Sequence, residues 1–202
     1  MKKALLITAL ISILGIETHA QNTDFGTWAY TTVSKPLGDK WGVMVRLEHR
    51  TKNNAGDLDC ALIMPGISYK PVSWMTLGFI YDYAITTSAN RQVLLPYIQF
   101  AKTYGHFALS FREMGQYVID PSNLLMRTKM QLQYKIDNSR ITPSIFIEPY
   151  THELSLSRLS AFVGANIKVG SRSSLEGGYT LYYLSASDTY RNILSIGYTV
   201  RI

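Results

Sequence analysis

The chain has 202 residues, with 20 Lys and Arg against 14 Asp and Glu, a formal net charge of +6 and a single cysteine. The positive excess is modest and spread along the chain, with no basic block of the kind that tracks nucleic acid, so a nucleic-acid partner is excluded. Cys60 has no second thiol to pair with, so an intramolecular disulfide is excluded as a source of stability.

The chain opens MKKALLITALISILGIETHA. Lys2 and Lys3 make a positive n-region, 4–16 an apolar stretch, and Thr18-His19-Ala20 a small-residue cleavage site. That is the pattern of a secretory signal peptide. The apolar stretch is shorter than the roughly 20 residues a spanning helix needs. Residues 1–20 are therefore expected to be removed, leaving one domain over 21–202. The residue directly after the cleavage point is Gln21, not cysteine, so no lipid anchor is expected, and no later apolar run is long enough for a membrane helix. A mature chain that crosses a membrane must then do so as a closed barrel, which alone leaves no strand edge unpaired in lipid.

The elements read as strands throughout. The first is 24–34, closed by the turn Lys35-Pro36-Leu37-Gly38-Asp39. In 41–50, Trp41, Val43, Val45 and Leu47 lie on one face and Met44, Arg46, Glu48 and Arg50 on the other. After the polar loop 51–57 come strands at 58–69 and 74–85, then 91–103, whose two faces do not separate cleanly. In 107–118 the apolar Phe107, Leu109 and Phe111 oppose Ser110, Arg112 and Gln116. Glu113 falls on the apolar face by strict counting, which predicts a bulge or a place at headgroup level.

The segment 124–136 alternates most strictly. Met126, Thr128, Met130, Leu132, Tyr134 and Ile136 are separated by Arg127, Lys129, Gln131, Gln133 and Lys135. A period of two is the signature of a strand with unlike faces, because a helix would mix the two sets on every side. Strands at 140–152, 158–169, 174–185 and 190–202 complete the chain. That makes eleven, whereas bacterial single-chain barrels have even numbers. Either the first segment is not a full strand or one boundary is wrong. Pro65, Pro96, Pro143 and Pro149 fall inside strands and are expected at bulges or near rims, since each lacks a ladder donor.

Alternation does not say which face is inside. Three features favour apolar outside and polar inside. The strands run to 10–13 residues, near the 9–11 a tilted spanning strand needs and longer than the usual 5–6. Trp41, Tyr69, Trp74, Tyr104, Phe107 and Tyr134 flank one set of turns, and Tyr83, Tyr117, Tyr150, Tyr183 and Tyr190 the other, as two aromatic girdles would. Charges sit mid-strand on one face. The expected fold is all-β: an antiparallel up-and-down transmembrane barrel of 10–12 strands with a polar lumen.

The runs DFGTWAYTTVSKPLGDKWGVMVRLEHR, FREMGQY and MRTKMQLQYKI with PSIFIEPY resemble an uncharacterised family of small outer-membrane β-barrels common in Bacteroidetes. The resemblance covers essentially the whole mature chain and implies fold and location, with no active site. One departure is the C-terminus: outer-membrane strands often end in an aromatic residue, and this chain ends Tyr198-Thr199-Val200-Arg201-Ile202.

The expected interior face holds Arg46, Glu48, Arg50, Arg112, Arg127, Lys129, Glu148, Arg158, Lys168, Glu176, Arg191 and Arg201, with Asp82 a further candidate. Small barrels fill their interiors with side chains, so a paired, plugged lumen is favoured over a narrow pore for small anions. Glu148, on the strand after 124–136, is the expected partner of Arg127 and Lys129. A lipid-modifying enzyme is the third reading, and His152 with Glu153, Ser155 and Ser157 is its best cluster. That cluster is a short motif without geometry, and no catalytic residue is assigned. Asp57 and Asp59 fall short of the six to eight oxygens calcium takes, so no metal or cofactor is expected. Cys60 reads as an apolar filler. The expected role is a non-enzymatic envelope structural or interaction protein, monomeric, whose partners are outer-membrane lipid, lipopolysaccharide and, during biogenesis, the barrel-assembly machinery.

Overall fold

In the computed structural model, which describes residues 23–202, eleven strands follow one another and close into a barrel. The expected signal peptide lies outside the described residues. The strands are β1 (Thr23–Leu37), β2 (Trp41–Lys52), β3 (Asp57–Val72), β4 (Met75–Thr86), β5 (Arg91–Tyr104), β6 (Phe107–Val118), β7 (Asn123–Tyr134), β8 (Ile141–His152), β9 (Ser155–Lys168), β10 (Ser173–Leu184) and β11 (Thr189–Arg201). A single 3-10 turn, Ser185–Ser187, precedes β11. Each strand pairs antiparallel with the next in sequence. The turns at Gly38 and Gly105 use a positive φ of 70° and 56°, a conformation glycine adopts without the Cβ clash.

The seam is the exception. β1 and β11 pair parallel, from Thr23↔Tyr190 to Ser34↔Arg201. An odd number of up-and-down strands leaves the first and last running the same way, so closure can only be parallel. The expectation of an even count fails here: β1 is a full strand of 15 residues, and all eleven segments are strands.

The in–out sense follows from contacts between strands that are not neighbours, which only the concave face allows. Tyr30 of β1 hydrogen-bonds Glu176 of β10, Arg112 of β6 reaches Glu148 of β8, and Arg191 of β11 reaches Asp59 of β3. The face bearing these residues is the inside. The opposite positions, among them Val45, Ile63, Phe79, Leu109, Met130, Ile145 and Leu194, form an exposed apolar outer wall.

Three expectations are corrected. Glu113 sits on the outer wall with no register shift between β6 and either neighbour, mid-strand, where it accepts a hydrogen bond from Thr128 Oγ1 at 2.7 Å. A partner on the adjacent strand's same face, rather than a bulge, accommodates it. Pro65 and Pro96 sit mid-strand at outward positions and make no bulge, whereas Pro143 lies near the start of β8 and the ladder to β9 shifts register just after Pro149, between Tyr150 and Thr151, as expected for a rim and a bulge. Pairing lapses beside Pro65 toward β4, beside Pro96 toward β6 and beside Pro149 toward β7, and resumes in the same register. Each proline is still paired on its other side, with Val45, Phe79 and Leu159. At Pro65 and Pro96 the missing N–H therefore interrupts one ladder only. Finally, Tyr150 is an interior residue, buried against Tyr182, and leaves the outer girdle. The other girdle aromatics keep outward positions; Trp41 lies 4.7 Å from Tyr69 and Tyr183 4.9 Å from Tyr190, centroid to centroid.

Candidate functional site

The interior is the part of the molecule where chemistry-bearing side chains converge, and period-two alternation puts them there. From β2, Arg46, Glu48 and Arg50 point inward in succession. Glu48 is held between its own strand neighbours, with Arg46 at 2.7 Å and Arg50 at 2.6 Å. From β6, β7 and β8 come Arg112, Arg127 and Glu148. One Glu148 oxygen takes Arg112 at 2.9 Å and Arg127 at 3.2 Å. A third cluster forms across the seam, where Arg191 of β11 binds Asp24 and Asp59, both at 3.1 Å, and Lys52 lies 3.6 Å from Asp59. Removing a carboxylate from water is costly unless it is paired, which is the physical reason each buried glutamate draws two guanidinium groups.

Aromatic rings supply the remaining support for the cations. Arg46 stacks over Tyr30 at 3.7 Å, Arg50 over Trp28 at 4.3 Å, Arg127 over Tyr150 at 4.6 Å and Lys129 over Phe146 at 3.6 Å. Such contacts gain strength when the cation is out of water. Trp28 and Tyr182 meet edge-on at 5.6 Å and Tyr182 and Tyr150 at 6.2 Å, so rings from β1, β10 and β8 cross the interior. Glycines make room for other rings: a Cβ at Gly197 would strike the ring of Tyr30 on the facing strand, and one at Gly78 the ring of Tyr97.

Of the twelve charged residues expected on the interior face, all but Lys168 and Arg201 occupy interior positions within the strands. Arg46 and Glu48, and Arg112, Arg127 and Glu148, are brought together. Arg158 donates to the Tyr182 hydroxyl at 3.4 Å, Glu176 accepts from Tyr30, and Arg191 joins the seam cluster. Lys129 is the exception: it takes the Phe146 ring instead of Glu148, whose second cation is Arg112. Arg50 also points inward, and Lys168 and Arg201 lie exposed at strand ends. Asp82 faces inward beside the Pro65 lapse, and among the described residues it has no ion-pair partner. Asp24, Trp28 and Tyr30 were missed, and Asp59 was weighed as a calcium ligand. Their partners lie across the interior or the seam, which no local pattern reveals.

The other candidates separate. Asp57 is exposed and accepts from Asn53 at 2.7 Å, while Asp59 turns inward to Arg191. His152 ends β8 exposed, opposite Ser155. Cys60 is buried beside Leu62, Met64 and Ala84.

Fold and interior together define a closed, mostly antiparallel β-barrel with charged groups inside and apolar groups outside. The family model described as a protein of unknown function, DUF2490, matches residues 25–192, and the chain belongs to that family. No match to a curated protein was found.

Proposed function

We propose that this chain is a small outer-membrane β-barrel of a bacterial envelope, of the Bacteroidetes type its motifs resemble. In this reading it has a non-enzymatic structural or interaction role, and its interior is filled. One observation carries this. Leu47 and Ile196 are each 53% exposed on the outer wall, while Glu48 and Glu148 are 5% and 4% exposed inside. A domain folded for water does the reverse. Lipid around the wall makes the outward leucines favourable, and closure satisfies every strand edge. Strands of 12–16 residues are long enough to span while tilted.

The filled interior is supported by the paired carboxylates and by the rings of Trp28, Tyr182 and Tyr150 that cross it. Outer-membrane lipid, lipopolysaccharide and the assembly machinery are the partners such a protein meets, and it acts as a monomer. The test is electrophoresis of unheated and boiled mature protein. A folded barrel migrates faster before boiling, and a protein that is soluble without detergent would overturn the membrane reading. Planar-bilayer recording separates plug from pore: a flat trace is expected, and step-like currents would replace the plug with a narrow diffusion channel. Turnover of phospholipid or lipid A that vanishes in His152→Ala would make it an enzyme instead.

A further inference from the structure

The outer wall is not convex all round. A depression of about 1440 Å³ crosses it from β5 to β11. Its floor follows one unbroken row of directly opposed residues: Phe100, Phe111, Met130, Ile147, Ala161 and Leu181. The row continues to Asn192, whose amide oxygen accepts from the Tyr179 hydroxyl, so that end carries a neutral amide and no second charge. Alanine at 161 keeps the floor low. At the other end stands Lys102, exposed, with its Nζ 5.1 Å from the Tyr104 ring. Trp74, stacked on Phe100 at 5.9 Å, closes the same end. Among the described residues Lys102 has no carboxylate partner.

We propose that this groove seats an acyl chain of an anionic glycerophospholipid whose phosphate rests on Lys102. The proposal rests on the outer-membrane reading and adds a site to it. The chemistry matches end for end. A flexible hydrocarbon chain fills a long apolar trough, aromatic side chains mark headgroup level, and a lone lysine there favours an anionic headgroup. A second copy of the chain is a poor fit. A two-fold contact places the same patch on both partners, and two hollows facing each other do not fill.

Native mass spectrometry of the detergent-purified barrel tests this, with added phosphatidylglycerol or phosphatidylcholine. Phosphatidylglycerol should be retained about fivefold better, the effect of one basic residue at a membrane surface. Lys102→Gln should bring the two lipids level, and Lys102→Arg should keep the preference. Ala161→Trp should lose retention of both. Gel mobility before and after boiling checks that each variant is folded, and Lys102→Gln, on the exposed wall, tests the site even if Ala161→Trp does not fold. Equal retention of the two lipids by the native chain overturns the proposal, as does a preference that survives Lys102→Gln or a dimer in place of a lipid adduct. If the native barrel is heat-modifiable yet shows no preference, only the groove fails. If it is soluble without detergent, the membrane reading fails with it.

Discussion

Glu148 holds two guanidinium groups from two other strands on one oxygen, so its removal leaves Arg112 and Arg127 facing each other without a counter-charge. Breaking a buried pair this way typically costs about 3–5 kcal/mol. Glu148→Ala should lower the unfolding free energy of the detergent-folded barrel by that much, read as a lower urea midpoint in tryptophan fluorescence; an unchanged midpoint would show the cluster to be solvated. Glu113 predicts the opposite sign. It stands on the outer wall with only Thr128 for company. In lipid, Glu113→Leu should stabilise the barrel by about 1–2 kcal/mol, since outward carboxylates cost less than the roughly 2–4 kcal/mol of outward Arg or Lys at mid-depth. The same substitution in a barrel surrounded by water would gain nothing of that size. Both residues were legible by counting in twos, which put Glu148 inside and Glu113 outside. What counting does not reveal is a partner's identity: Lys129 lies on a ring rather than on Glu148 because aromatic positions inside are not marked by charge.

Among the elements, the seam between β1 and β11 is the most exposed to error, because it joins the chain's two most distant strands. Tyr30 bridges it, lying over Gly197 and donating to Glu176 beyond. Gly197→Val puts side-chain atoms where that ring lies. Overpacking of this kind costs about 1–3 kcal/mol. The compact unheated band should therefore convert at a lower temperature than in the native chain. Strand positions were largely legible, because turn residues and alternation agree from 41–50 onward. The seam's direction follows from the odd count alone, and it was the general rule of even numbers that misled. Two of the prolines misled for a related reason. A missing N–H points to one side of a strand only, so Pro65 and Pro96 interrupt one ladder and leave the other in register, while beside Pro149 the second ladder also shifts. In 91–103 the faces could not be separated because Val93 and Leu95 are apolar yet inward, packed with Met114 in a small interior cluster.

For the whole molecule, the filled-interior proposal makes the rings of Trp28, Tyr182 and Tyr150 the barrier to ions. Replacing Trp28 and Tyr182 together by Ala should turn a flat bilayer trace into resolved current steps; a trace that stays flat would assign the block to the ion pairs instead. The parallel seam has a further consequence, topological rather than energetic. With eleven crossings, Thr23, where β1 begins, and Arg201, where β11 ends, lie at opposite mouths. In a membrane, those two strand ends then answer to different compartments. A short epitope before Thr23 and another after Ile202 should never be cleaved by the same protease added from one side of intact cells. In an outer membrane, as proposed, the mouth where β1 begins and the mouth where β11 ends face different sides, which no even-stranded up-and-down barrel offers.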